Sequence, residues 1–215
     1  MKLLKVLTLL LIFMSIAPLR IDAQETKSQK SGIRDISILF IGNSLTYTNK
    51  LPHLVQKKLK LNGIKAAVQN ESLPDYALSD HWKDGNIQRE ILTGTYDYVI
   101  IQQGPSSQEE GKNILMEYGK KIAGLCESKG SHLGFFMVWP SMAHYHTFEG
   151  VISNYRVAAK INKAILFPVG EVWKTHFEKT QNFDYYGPDK FHPSKKGSEV
   201  AADVIVSILL NSLSL

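Results

Sequence analysis

Apolar and polar positions along the chain fall into two alternating rhythms. Residues 36–41 (Ile36-Ser37-Ile38-Leu39-Phe40-Ile41), 98–102 and 133–138 are nearly continuous apolar runs, and 65–69 and 165–169 are further segments of strand length. Between them lie stretches of helical period: 52–62, 78–92, 108–128, 148–163 and 195–213. In the first, Leu51, Leu54, Val55, Leu59 and Leu61 approximate one face, Pro52 suits the opening turn, and Gly63 is a suitable terminator. Strands that are apolar throughout are covered on both faces, which indicates a parallel sheet between helical layers. The regular alternation of strand and helix predicts an α/β fold: a three-layer α/β/α sandwich around a five-stranded parallel sheet, in the flavodoxin-like order 2-1-3-4-5. Ligands of such a sheet bind at the carboxyl ends of the strands, here between the first and the third.

The two ends of the sequence change this picture little. Residues 1–23 read as a secretory signal peptide: Lys2 and Lys5 precede an apolar run from Val6 to Leu19, with cleavage near Ala23-Gln24. Thr8, Ser15 and Pro18 interrupt the run, and it falls short of the roughly 20 apolar residues of a membrane span, so no stable membrane anchor is expected after cleavage. Residues 24–34 are polar, rich in Lys and Ser, and read as a flexible lead-in to one domain over 35–215. The protein is therefore expected to be exported, to a periplasm or beyond the cell.

The formal charge is +5; removal of Lys2, Lys5, Arg20 and Asp22 with the leader lowers it to +3. This mild balance, without a long Lys/Arg run, gives no reason to expect nucleic acid as a partner. Cys126 is the one cysteine, so no disulfide forms within the chain, and its place among Ile122 and Leu125 marks it as a buried, inert thiol. Oligomeric state is not legible in the sequence.

Candidate chemistry stands at the two ends of the domain. Gly42-Asn43-Ser44-Leu45-Thr46 places a serine just past the first strand. A serine hydroxyl is a poor nucleophile until a base takes its proton. Near the other end, Asp189-Lys190-Phe191-His192-Pro193 sets a carboxylate three residues before a histidine, a spacing that lets it meet the Nδ1–H in a tight turn. Pro193 disfavours helical geometry at His192, which places the histidine in a loop before the last helix. Asn43 is either a plain turn residue or one that orders the loop around Ser44. Trp139, with Pro140 after it, ends a strand where sites lie and is a candidate to line a substrate cleft; Trp82 and Trp173 fit packing better. His144-Tyr145-His146 has a spacing able to hold a metal, but no third ligand pattern accompanies it, and no metal or other cofactor is expected.

The first and last blocks together resemble the SGNH/GDSL hydrolase superfamily. Asn70-Glu71-Ser72, His81-Trp82-Lys83-Asp84-Gly85, residues 96–102 and Trp139-Pro140 are similar to an exported branch of it. The resemblance covers roughly residues 36–210 and implies a nucleophile at Ser44, a base at His192 and an orienting carboxylate at Asp189. The middle blocks depart from the family pattern. Where a glycine N–H usually serves the oxyanion hole, this chain has Ser72-Leu73-Pro74-Asp75-Tyr76, and Asp75 supplies the nearest backbone donor, since Pro74 has none. Where Gly-x-Asn-Asp is usual, it has Gln102-Gln103-Gly104-Pro105-Ser106-Ser107, leaving Gln103 or Ser106 as the side-chain donor; Gln103 has the length to reach directly and is favoured. The resemblance implies a cofactor-free serine esterase acting on an acyl ester, such as an acetyl group, of an extracellular carbohydrate or another small ester. The alternative is a carbohydrate-binding protein on the same fold whose catalysis has decayed.

Overall fold

The computed structural model describes residues 34–213. The expected signal peptide and nearly all of the lead-in lie outside the described residues; Arg34 opens the first strand. The strands are β1 (Arg34–Gly42), β2 (Ile64–Ser72), β3 (Tyr98–Ile101), β4 (His132–Phe136) and β5 (Ile165–Phe167). They form one parallel sheet in the order β2-β1-β3-β4-β5, with helices on both sides. The helices are α1 (Ser44–Tyr47), α2 (Leu51–Leu61), α3 (Leu78–Asp84), α4 (Asn86–Thr93), α5 (Glu109–Lys129), α6 (Phe148–Ile161), α7 (Val169–Thr180) and α8 (Lys195–Leu213). No described helix is long and apolar enough to cross a membrane.

The sheet explains the pattern in the sequence. Ile38, Leu39, Phe40 and Ile41 on β1, and the whole of β3, are buried on both faces, as continuous apolar runs require. β2 is an edge strand in which Ala66 alone is buried, and its alternation with Lys65, Gln69 and Asn70 follows from that position. Two differences from expectation change the number of helices. The helix expected over 78–92 breaks at Gly85, whose φ of 76° ends α3 and starts α4. The strand expected over 165–169 stops at Phe167, and an unexpected helix, α7, begins at Val169, directly after Pro168.

Aromatic rings fill the space under the last loops. Trp139 and Trp173 stack with centroids 3.5 Å apart, and Phe177 packs on Trp173, Tyr185 and Tyr186. Cys126 is buried, and burial pushes its thiol up to about 12. It is a packing residue.

Candidate functional site

The site lies at the carboxyl ends of β1 and β3, the two strands flanking the switch in strand order. β1 ends at Gly42 and the chain turns directly into α1, with Ser44 its first residue. Asn43 caps this short helix: its Oδ1 accepts from the Leu45 N–H at 3.1 Å, and its Nδ2 donates to the Tyr76 carbonyl at 3.1 Å. Below the turn sits Gln102, almost wholly buried, whose Oε1 accepts from the Asn43 N–H and the Thr46 hydroxyl, each at 2.9 Å. This close approach explains Gly42. A Cβ there would stand 2.4 Å from Thr46 Oγ1 and 2.6 Å from Gln102 Oε1, so the glycine admits the clamp and does not serve a left-handed turn.

Asp189 and His192 occupy a small hairpin before α8. The Gly187 N–H donates to the His192 carbonyl at 2.7 Å, the Ser194 N–H donates to the Tyr185 carbonyl at 2.8 Å, and Tyr186 pairs with Pro193 across it. Asp189 Oδ1 accepts from the Phe191 and His192 N–H groups at 3.0 and 2.9 Å, and its Oδ2 lies 2.5 Å from His192 Nδ1. The imidazole contact first, and the backbone donors after it, hold the Asp189 carboxyl below its ordinary range. A carboxylate can only accept, so Nδ1 carries the ring proton. Nε2 is then bare in the neutral ring, and it stands 2.9 Å from Ser44 Oγ, where it accepts the hydroxyl proton. Serine, histidine and aspartate thus form one continuous hydrogen-bonded line.

The structure is like several solved ones. A protein from Slackia heliotrinireducens described as an SGNH hydrolase superposes with a TM-score of 0.72 at 21% identity, over 82% of this chain and 100% of that one. The fold is that of the SGNH hydrolases. A lipase/acylhydrolase from Enterococcus faecalis (TM-score 0.66, 16% identity, 82% of this chain and 96% of that one) shares it. So does an acetyl-xylooligosaccharide esterase from Geobacillus Stearmophilus (0.61, 16%, 83% and 96%). No family model matches the sequence, and neither does any curated protein.

Within this SGNH fold the remaining candidates separate. Gln103 follows β3 with its backbone gripped by the Tyr155 hydroxyl, which donates to its carbonyl and accepts from its N–H at 3.1 Å. Its Oε1 accepts from the Leu78 N–H at 2.8 Å, which assigns the amide orientation and leaves Nε2 as the donor end. Asp75 is exposed in the turn after β2, with φ 59°. Ser106 is engaged elsewhere. It has no accessible surface, and its hydroxyl donates to the Gly104 carbonyl at 2.8 Å. Of the two readings of Asn43, the bonds favour the one that orders the loop around Ser44, since both ends of its amide are engaged there. Trp139 is corrected too: it is wholly buried on Trp173, and its Nε1–H donates to the Phe191 carbonyl at 3.0 Å. It anchors the histidine hairpin and lines no cleft.

A cleft of about 520 Å³ borders the His192 side, between the loops after β3 and β4. Pro105, Ser107, Gln108, Pro140, Ser141, His144 and Phe191 line it, and the Phe191 ring meets the His192 ring edge-on at 5.2 Å. His144 is exposed there, its Nδ1 2.9 Å from Ser141 Oγ, while the His146 ring stands 6.3 Å away. No group of three His, Cys, Asp or Glu side chains among the described residues is placed to hold a metal.

Three contributors escaped the sequence. Gln102, His81 and Asn49 each join segments far apart in the chain. Gln102 left a trace as a polar residue ending an apolar strand, and His81 as the head of one of the blocks that carry the resemblance, but neither contact was legible.

Proposed function

We propose that this chain is an exported serine ester hydrolase that acts on a small acyl ester, an acetyl group, carried by an extracellular carbohydrate. The observation that carries the reading is the line Ser44 Oγ to His192 Nε2 at 2.9 Å and His192 Nδ1 to Asp189 Oδ2 at 2.5 Å. Ser44 attacks the acyl carbonyl as His192 takes its proton; Asp189 fixes the tautomer and stabilises the imidazolium. The N–H groups of Ser44 and Asp75 and the Gln103 amide hold the oxyanion. His192 then gives its proton to the departing alcohol, and water, activated by the same imidazole, releases the acyl group from Ser44.

His192 protonates the leaving alcohol, so the cleft beside Phe191 belongs to the alcohol side of the ester. Its lining holds no Asp, Glu, Lys or Arg and mixes apolar rings with hydroxyl, amide and imidazole groups, which suits a neutral, hydroxyl-bearing ring. A decayed binding protein has less support, since it has no need of the intact line. A panel of esters tests the reading, with the acyl chain varied on one alcohol and the alcohol varied on one acetyl group. Acetylated sugars are expected to give the highest kcat/KM, and Ser44→Ala to abolish turnover. Long-chain acyl esters preferred over acetyl, or turnover that survives Ser44→Ala, would contradict it.

A further inference from the structure

We propose that His81 is a positioning residue for the oxyanion hole, acting through the carbonyl of Gly42. The proposal rests on the hydrolase reading above and assigns a role to a buried histidine that the catalytic line does not use. His81 sits on α3 with 4% of its surface exposed, and its Nε2 lies 2.8 Å from the Gly42 carbonyl. A carbonyl only accepts, so Nε2 carries the proton. Burying an imidazole is costly, and a residue that only filled space there would be apolar.

The carbonyl it holds is the reference point of the site. Gly42 O also accepts from the Leu73 N–H at 3.2 Å. Ser44 lies two residues beyond Gly42, and Asp75 two residues beyond Leu73, so both backbone donors of the proposed hole are registered on this one oxygen. The third donor is registered on the same helix: the Leu78 N–H, one turn before His81, fixes Gln103 Oε1 at 2.8 Å. Tyr76, which opens this segment and packs its ring 5.0 Å from the imidazole, accepts from Asn43 Nδ2. The stretch 76–81 therefore frames all three donors at once. Without the His81 bond, the Gly42–Asn43 peptide keeps only the longer Leu73 contact on its oxygen and the Gln102 contact on its N–H, and the donors lose part of their common alignment. A misplacement of about 1 Å in such a site costs up to roughly 100-fold in rate.

The test uses His81→Phe, His81→Asn and His81→Gln, with Ser44→Ala alongside. Each is assayed for kcat and KM on a small aryl acetate, for inhibition by an alkyl boronic acid that forms a tetrahedral adduct on serine, and for thermal unfolding. Phe has no donor and Asn is too short to reach Gly42; both are expected to lose roughly 10- to 100-fold in kcat and a similar factor in boronate affinity, with KM little changed. Gln carries an amide donor to the same place and is expected to restore both to within a few-fold. Wild-type kcat in the Phe and Asn variants overturns the proposal. So does a Gln variant as slow as Phe, or a kcat loss with boronate affinity intact. If all three unfold far below the wild type, His81 serves the fold alone and the proposal is equally overturned. Undiminished turnover in Ser44→Ala instead overturns the hydrolase reading, and this inference with it.

Discussion

The Asn49 side-chain amide donates to the Pro193 carbonyl at 3.0 Å and to the Ser198 hydroxyl at 2.9 Å, tying the segment after Ser44 to the segment after His192. Nucleophile and base come from opposite ends of the domain, and this amide is a direct strap between them. Asn49 has a φ of 54°, a conformation that asparagine tolerates better than most residues. Asn49→Gly keeps that conformation accessible and removes the strap. It is expected to lower stability by about 1–3 kcal/mol, from two lost hydrogen bonds. Asn49→Ala should lose about a further 1–2 kcal/mol through the backbone. Urea unfolding of both variants checks this; a Gly variant as stable as wild type would mean that the strap contributes nothing.

The sequence favours Gln103 over Ser106 as the side-chain donor, and in the structure the Ser106 hydroxyl is engaged with the Gly104 carbonyl. Gln103→Ala is expected to lower kcat roughly 10²–10³-fold with little change in KM. Ser106→Ala should leave kcat near wild type and cost about 0.5–1.5 kcal/mol of stability, from its buried bond to Gly104. Steady-state kinetics with unfolding curves decides; the opposite pattern would return the donor role to Ser106.

Trp139→Phe keeps an aromatic ring on Trp173 but removes the bond to the Phe191 carbonyl together with part of the wholly buried indole. The expected outcome is a loss of about 1–3 kcal/mol in stability, from the bond and the void together, and a several-fold lower kcat, with KM for any ester unchanged. A large rise in KM for sugar acetates alone would put Trp139 back at the substrate.

What the sequence disclosed depended on distance along the chain. Ile36 to Ile41 and Tyr98 to Ile101 read as covered parallel strands because burial on both faces leaves no polar position. Asp189 and His192 were legible because three residues bring them together in one turn. Ser44 was legible as the end of a strand. The supporting contacts were not, since each joins residues remote in sequence: Gln102 reaches back 59 residues to Asn43, His81 reaches 39 to Gly42, and Asn49 spans 144 to Pro193. Trp139 misled because a strand-end aromatic can pack beneath a loop as readily as line a cleft. α7 was missed because Pro168 and Val169 prolong the apolar run of β5 into the first turn of a helix.

Burial holds His81 below the ordinary histidine value of 6.5, against the raising influence of its Gly42 bond and of Asp84, Glu71 and Asp80. The unfolded chain takes up a proton there before the folded chain does, so stability falls as pH drops below about 6.5. His81→Gln does not titrate. The difference in stability between wild type and this variant should therefore shrink, or turn against the wild type, on going from roughly pH 8 to pH 5. Unfolding midpoints across that range measure it; a constant difference would show that His81 protonates alike in both states.

Hydrolysis by this chain requires Ser44 to be the activated nucleophile. A fluorophosphonate probe reacts only with a serine whose proton a neighbouring base removes. After treatment of the full chain and peptide mapping by mass spectrometry, a single stoichiometric adduct on Ser44 is expected, absent in Ser44→Ala and formed far more slowly in His192→Ala. A folded protein that takes up no probe, or an adduct on another serine with Ser44 unmodified, would contradict it.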